Sequence, residues 1–476
     1  MSAKSRTIWT FVVTSVALFM AQLDNLVVTT ALPVIRKDLH ASLSSLEWTV
    51  NAYTLTFAVL LLTGATLGER FGRRRMLVVG LVVFTAGSAA AALAPSAEWL
   101  IAFRALQGAG AAIVTPLTLT LLSAAVPVER RGMALGIWGA VAGLAIATGP
   151  VVGGAVVQGW SWQTIFWLNV PLGLLLIPLA RLRVDESRGL ATHLDLPGVV
   201  LASGGLFGIV LGVVRANDFG WTSTYVLTAL IAGVAGIVAF VAWERRAGEP
   251  MLPMRLFASR GFSATNLASV LMFFGMFGSI FLLAKFLQTV QHYSPLQAGL
   301  RTLPWTGMPI VVSPIAGVIA DRIGGKPVVL TGLLLQATGL AWLAAVSSPT
   351  VAYSTLLPAF IVSGTGMAMF FAPMATLVLG TVRREEEGIA SGATNALREL
   401  GGVFGVAVLA SVFAAHGGYT SGLDFVDGLR PAVAVGAGGV FLAAVALLAA
   451  PRRTTSVAAS VDAEVYPAIA EPAFTA

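Results

Sequence analysis

The stretch IWTFVVTSVALFMAQLDNLVVTTALP, Ile8–Pro33, is apolar as far as Leu32 and holds one ionisable group, Asp24. At 1.5 Å per residue such a helix crosses a hydrocarbon core about 30 Å thick. A carboxylate inside hydrocarbon costs about 2.5–3.5 kcal/mol on insertion scales, so intramembrane acids face a bundle interior and mark an ion or substrate path. Asp24 lies past the middle of the run, so an acid at the water interface is the competing reading.

Apolar runs of similar length recur along the 476-residue chain, which is 57% hydrophobic and only 11% charged. Soluble domains carry about 25% charged residues, so the composition defines an all-α polytopic membrane protein. Fourteen spans are predicted, beginning near residues 8, 47, 76, 98, 133, 164, 194, 224, 262, 297, 327, 354, 388 and 430. The first run is too long for the apolar core of a cleavable signal peptide and lacks a small-residue cleavage site, so it reads as a retained span. The lack of cysteine excludes a disulfide framework, a thiolate metal site and a thiol nucleophile.

The net charge of +7 is distributed by side rather than gathered into a polyanion site. With the N-terminus inside, cytoplasmic segments hold most of the 29 lysines and arginines, including Lys4, Arg6, Arg70, Arg73, Arg74, Arg75, Arg181, Arg183 and Arg322. Outer segments hold Arg36, Lys37, Arg215 and Arg430, while Arg104, Lys285, Arg301 and Arg398 fall within spans. This asymmetry predicts both termini in the cytoplasm and a place in the cytoplasmic membrane. It implies no nucleic-acid partner.

An internal repeat organises the chain. At an offset of 252 residues, Gly68-Glu69-Arg70-Phe71-Gly72 lies over Ala320-Asp321-Arg322-Ile323-Gly324 without a gap. Each copy sets an acidic-Arg-x-Gly turn between two apolar spans. Two parallel halves with a binding site at their interface is a common transporter design. The predicted domains are a six-helix bundle over 1–183, two extra transmembrane helices with linkers over 184–260, and a second six-helix bundle over 261–451. The tail, 452–476, reads as disordered and cytoplasmic from its composition.

Other charged and small residues inside the spans need partners. Arg104, one to two turns inside the fourth span, is expensive unless paired, and a nearby guanidinium favours the charged form of an acid such as Asp24. Snorkelling to the outer interface is the alternative. In the thirteenth span, Arg398 and Glu399 point about 100° apart on a helix, so they need not neutralise each other. Glu399 is then either a second proton carrier or part of a structural ion pair. Gly72 permits a tight turn beside Glu69, Arg70 and Arg73. Gly136, Gly149, Gly153 and Gly154 allow close helix approach, and Pro150 removes a backbone hydrogen bond.

Together these residues resemble the fourteen-span drug:proton antiporters of the major facilitator superfamily, over nearly the whole chain up to the tail. Leu23-Asp24-Asn25 through Ala31-Leu32-Pro33 resembles the first-span signature, with Leu26 where the family usually has Thr and Thr29 where it usually has Asn. Trp48–Leu55, with Asn51 and Tyr53, resembles the second-span signature. Ala65–Arg75 resembles the cytoplasmic-loop motif, with Ala65 where the family usually has Gly and Glu69 for the usual Asp. Arg104-Ala105-Leu106-Gln107-Gly108-Ala109-Gly110 is similar to the motif proposed for proton transfer. The fifth-span set of Gly136, Gly149, Pro150, Gly153 and Gly154 is similar to the antiporter motif. Trp160–Pro171 and Ser294–Leu300 match as well.

The resemblance implies a major facilitator fold, two six-helix bundles plus two extra central helices. It implies proton coupling through Asp24, Arg104, Arg398 and Glu399, and a substrate cavity touching Asn25, Asn51, Tyr53, Gln107, Trp138 and Asn395. A cytoplasmic gate is implied at Glu69, Arg70, Gly72, Arg73, Asp321 and Arg322. No cofactor is expected; the proton motive force supplies the energy to a monomer in the bilayer. The expected partners are protons and a hydrophobic small molecule, cationic compounds among the candidates.

The rest of the chemistry is sparse. His40, His193, His292 and His416 fall in or near loops without metal-ligand spacing, and no Gly-x4-Gly-Lys-Ser/Thr phosphate loop is present. An intramembrane enzyme would need convergent His, Cys or paired carboxylates, so the chain reads as no enzyme. The expected function is proton-coupled export of hydrophobic or amphipathic drugs, dyes or antibiotics by alternating access. The alternative is export of one endogenous metabolite or antibiotic.

Overall fold

The computed structural model describes residues 3–41, 43–127, 131–188, 195–248, 250, 252–383 and 386–451, and the tail predicted to be disordered lies outside them. The described residues form helices joined by short turns. In order these are α1 (Ala3–Asp38), α2 (Leu43–Phe71), α3 (Arg73–Ala92), α4 (Ala97–Ala125), α5 (Arg131–Gly159), α6 (Thr164–Trp167), α7 (Asn169–Arg183), α8 (Leu196–Phe219) and α9 (Thr224–Glu244). Then follow α10 (Arg255–Ala258), α11 (Arg260–Thr289), α12 (Pro295–Thr306), α13 (Met308–Ile323), α14 (Gly325–Val346), α15 (Tyr353–Leu379), α16 (Glu387–His416) and α17 (Gly422–Leu448).

Among the described residues thirteen stretches are long and apolar enough to cross a membrane, with α6 and α7 sharing one and α12 and α13 another. The 29-residue α5 occupies the place of the predicted fifth span. Local chemistry sets the breaks. Ser294 and Gln297 form a capping box at the start of α12, and Pro309, which has no N–H to give, opens α13 just after the break at Gly307.

Two predicted boundaries are corrected. The first helix runs through Pro33 to Asp38, because Ile35 packs into the core of the first half and rewards the extra turn. The last helix starts at Gly422 rather than near 430, since Ser421 caps it by accepting a hydrogen bond from the Asp424 N–H at 3.1 Å. Arg430 therefore lies in a helix, not in an outer loop, and its Nε donates to the Ser347 carbonyl at 2.9 Å. Arg215 likewise lies on α8, its guanidinium 4.6 Å from the centre of the Trp48 ring.

The packing repeats. In the first half α2 packs on α4, α3 on α4 and α7, and α1 on α5; in the second α13 packs on α15, α14 on α15 and α17, and α11 on α16. Between halves α5 meets α12 and α13 on one side, and α2 meets α16 on the other. The extra helix α8 lies against both α2 and α16, with the Thr63 and Ser203 hydroxyls 3.3 Å apart and the Trp221 indole donating to Ser411 at 2.9 Å. Its partner α9 packs on α8 and leaves Tyr225, Leu227, Ile231, Val234 and Val238 facing outward.

Close glycine approaches show how far the repeat extends. A Cβ on Gly108 would lie 2.5 Å from the Tyr53 carbonyl oxygen, and one on Gly364 2.4 Å from that of Trp305. On Gly110 it would lie 2.5 Å from the Phe84 nitrogen, and on Gly366 2.3 Å from that of Gln336. Spans two and three thus keep the offset of 252, whereas span four has shifted to 256, matching helix starts at Ala97 and Tyr353.

Candidate functional site

Asp24 is 2% exposed and sits where α1 meets α4 and α7. Its Oδ2 accepts from Arg104 Nη1; its Oδ1 accepts from Gln107 Nε2 at 2.8 Å and from Asn169 Nδ2 at 2.7 Å. Arg104 is fully buried and also donates to the Thr49 carbonyl at 3.1 Å and to Gln107 Oε1 at 2.8 Å. Its guanidinium lies 4.3 Å from the Tyr53 ring centre. The Ser88 hydroxyl accepts from Asn169 at 3.1 Å and donates to the Phe166 carbonyl at 2.9 Å. Opposite charges and polar donors compensate one another in a place where water cannot, as a buried ion pair requires.

The sequence brings Asp24, Arg104 and Gln107 together; it does not announce Asn169, Ser88 or Thr49. An amide or hydroxyl in a span barely changes hydropathy, and the Thr49 contact is through the backbone. The adjacent match at Trp160–Pro171 contains Asn169, which was the available signal.

At the end of the bundle that carries the repeated turns, Gly72 has φ 103° and ψ 129°, and Gly324 has φ 92° and ψ 150°. Side chains other than glycine rarely adopt this region, so each glycine lets one residue join two spans. Glu69 reaches across the first turn to Arg73, accepting from Nε at 2.9 Å and Nη2 at 2.8 Å. Glu186, a loop acid the sequence did not flag, accepts from the Arg74 N–H at 2.9 Å and the Arg75 N–H at 3.3 Å, capping α3. Arg70 instead stacks on Phe71 at 5.0 Å.

The second copy keeps one of these devices. Gly325 stands where the first copy has Arg73, and Asp321 and Arg322 are exposed, with no ion pair for either among the described residues. Lys326, however, matches Arg74. Arg74 Nη1 donates to the Val184 carbonyl at 3.3 Å near the end of α7, and Lys326 Nζ donates to the Leu448 carbonyl at 2.9 Å near the end of α17. Each cation caps the last span of its half.

On α16, Arg398 is buried with its guanidinium 5.6 Å from the Phe273 ring centre and 5.8 Å from that of Phe370. It forms no ion pair with Glu399 among the described residues, and Glu399 is half-buried without a hydrogen bond there. Asn395 is buried on the same helix.

The remaining cavity residues divide. Tyr53 is buried and its hydroxyl donates to the Ala21 carbonyl at 2.9 Å; Gln107 is consumed by the Asp24 cluster; the Trp138 indole donates to Thr118 at 3.3 Å. These three have their polar atoms committed within the first half. Asn25 and Asn51 are half-buried. Of the fifth-span glycines, Gly149 packs on Leu26 and Gly153 on Val27 and Thr30, fixing α5 to α1, while Gly154 packs on Leu296 across the two halves. Of Gly136 and Pro150 only the helical backbone within α5 is described.

Two six-helix bundles of matching packing that meet along paired helices, with an ion pair buried in the first, define a two-bundle membrane transporter. The family model "Major Facilitator Superfamily" matches residues 14–198, 196–406 and 265–474, and the chain belongs to that superfamily. It is 36% identical over 408 residues to the multidrug resistance protein Stp of Mycobacterium tuberculosis, covering 85% of this chain and 76% of that one. It is 35% identical to the tetracenomycin C resistance and export protein of Streptomyces glaucescens, covering 86% and 76%. With the methylenomycin A resistance protein of Streptomyces coelicolor the identity is 33%, covering 93% and 92%. A solved proton:xylose symporter of the superfamily shares the fold, with a TM-score of 0.68 at 16% identity over 94% of this chain and 97% of that one.

Proposed function

We propose that this protein is a proton-coupled antiporter that exports hydrophobic or amphipathic drugs, dyes or antibiotics by alternating access. In this reading it lies in the cytoplasmic membrane with both termini cytoplasmic, because the basic turns cluster on that side. The observation that supports it most is the Asp24 cluster. While charged, the carboxylate ties α1 to Arg104 and Gln107 of α4 and to Asn169 of α7. A proton on Asp24 removes the charge that compensates Arg104 and takes away acceptor capacity, so these helices lose their reason to stay in one arrangement.

A ligand shifts a conformational equilibrium only by its differential affinity for the two states. Exchange therefore needs the proton and the cargo to favour opposite ones. One elementary charge moved down the membrane potential contributes about 2.3 kcal/mol per 100 mV, which is the energy source in place of a cofactor. Glu399, half-buried on the interface helix α16, serves as a second proton acceptor. The protein works as a monomer, with protons and the exported small molecule as its partners.

The relatives named for resistance support an exporter, and two of them are named for one antibiotic each, which favours a dedicated exporter as the second reading. Dye efflux from cells or inverted vesicles, with and without an uncoupler, tests the mechanism. Efflux that survives the uncoupler but requires ATP overturns it. Asp24→Asn should lower coupled efflux by about 100-fold, the size of a lost proton-transfer group; normal efflux at every pH removes Asp24 from the pathway. Competition between chemically unrelated drugs separates the broad exporter from the dedicated one.

A further inference from the structure

One face of α16 carries a row of buried polar side chains. Ser391, Thr394, Asn395 and Arg398 recur at helical spacing, so they share one side of the helix. All four are at least nine-tenths buried. Ser391 Oγ, Thr394 Oγ1, Asn395 Nδ2 and both Nε and Nη2 of Arg398 have no hydrogen-bond partner among the described residues. Buried donors left unmade are rare in native structures and call for an explanation.

The idle edge of Arg398 is specific. Nε and Nη2 lie side by side and present two parallel N–H groups, the fork that binds two oxygens of a planar anion. The same edge of Arg73 holds both Glu69 oxygens, at 2.9 and 2.8 Å. Around Arg398 the walls are aromatic: Phe273 and Phe370 flank the guanidinium, and Phe371 and Phe277 lie 6.1 and 5.7 Å from Phe273, ring centre to ring centre. Asn395 Nδ2 adds a donor one turn earlier on the helix.

A structural role accounts poorly for this arrangement. The cation–π contacts use the faces of Phe273 and Phe370 and leave the Nε/Nη2 edge without a hydrogen-bond partner among the described residues, and Glu399, turned about 100° away on the helix, forms no ion pair with it there. The guanidinium meets Phe273 of α11 and Phe370 of α15, so the face turns into the second half, while Gly392 on another side of α16 packs on Ala65 of α2.

Resting on the reading of the protein as an exporter, we propose that Arg398, Asn395 and the phenylalanine walls form the cargo site of the second half, and that its ligand class is the aromatic carboxylate or its enolate equivalent. Such a molecule places a ring against the tilted Phe273–Phe370 pair, whose ring centres are 6.4 Å apart, and two coplanar oxygens on the Nε/Nη2 edge. Thr394 and Ser391 continue the polar row for further oxygen substituents. Cationic dyes lack the group that this edge recognises.

The test measures binding to the full-length protein in nanodiscs, separately from transport. Fluorescein, an aromatic carboxylate, should bind saturably by polarisation, and Arg398→Lys, which keeps the charge and loses the fork, should weaken it by about tenfold, the scale of one charge-assisted hydrogen bond. Ethidium, an aromatic cation, should bind wild type and Arg398→Lys alike. A test independent of any variant's folding uses wild type only: 2-naphthoate should displace fluorescein about tenfold better than the neutral 2-naphthamide. Equal displacement by the two, equal fluorescein affinity in wild type and variant, or no fluorescein binding overturns the proposal. Failure of the exporter reading is seen elsewhere, as efflux indifferent to the uncoupler while binding is retained.

Discussion

Arg104 in the first half and Phe360 in the second hold equivalent places, each four residues before the glycine that packs on the second-span aromatic of its half. Around Arg104 the aromatic is Tyr53, and the cation lies over its ring while binding Asp24, Gln107 and the Thr49 carbonyl. Around Phe360 it is Trp305, stacked at 5.9 Å with an interplanar angle of 18°. One backbone frame thus holds an ion pair in one half and a ring stack in the other. In the second half a buried arginine lies instead on α16, where Arg398 Nε and Nη2 have no hydrogen-bond partner among the described residues. Helix packing conserves the frame between repeats; what fills the frame assigns each half its chemistry.

The largest expected effect breaks the first half's compensation. Arg104→Leu leaves a buried carboxylate alone and should destabilise by about 3–5 kcal/mol, as removal of one partner of a buried pair does. Asp24→Asn with Arg104→Gln removes both charges and should recover much of that loss without recovering proton coupling. Glu399→Gln, which cuts no bond among the described residues, should leave thermal unfolding unchanged. Unfolding followed by size-exclusion of the detergent-solubilised protein distinguishes them, and an equal loss for Arg104→Leu and Glu399→Gln would erase the contrast between the halves.

The frame itself predicts matched effects. Gly110→Ala and Gly366→Ala push a methyl against backbone at 2.5 and 2.3 Å, and each should cost about 1–3 kcal/mol by overpacking. A large loss at one site and none at the other would show that the two glycines are not counterparts. The turn glycines should differ instead. Gly72→Ala combines a left-handed φ with a Cβ 2.8 Å from the Glu186 carboxylate, whereas at Gly324 the nearest atom is 4.0 Å away. Both carry strain of about 1–3 kcal/mol, and Gly72→Ala should sit at the upper end because it also disturbs the cap of α3.

Much of this organisation was readable from residues alone, for reasons that the structure makes concrete. The membrane spans follow from apolar length, thirteen of them found among the described residues, and the Glu69 and Asp321 turns declare the repeat because acid, arginine and glycine are conspicuous between apolar runs. Asp24 and Arg104 stand out since each is costly without the other. The repeat beyond the turns was hidden by the change of offset from 252 to 256 before the fourth span, and by glycine contacts whose partners are backbone atoms. Asn169 and Glu186 were hidden too, one as a neutral amide and the other as an ordinary loop acid. Tyr53, Gln107 and Trp138 read as cavity residues because a polar group in a span suggests a ligand; the sequence does not reveal that neighbouring helices already satisfy them.

The smallest expected effect concerns the two cations that close the last span of each half. Arg74 and Lys326 share a repeat position and both donate to carbonyls at a helix C-terminus, but their surroundings differ. Glu186 lies 3.6 Å from Arg74 Nε, so Arg74→Ala removes an ion pair along with a cap. Lys326 gives its ammonium to the Leu448 and Ala450 carbonyls, and Lys326→Ala should cost about 0.3–1 kcal/mol, the range for a cation at a helix C-terminus. Raising salt should narrow the gap between the two variants, because screening weakens the partly exposed Arg74–Glu186 pair more than a direct hydrogen bond to a carbonyl. A gap that persists unchanged at high salt would mean that Arg74 acts through packing on the 181–184 segment, and that the equivalence of the two caps is geometric only.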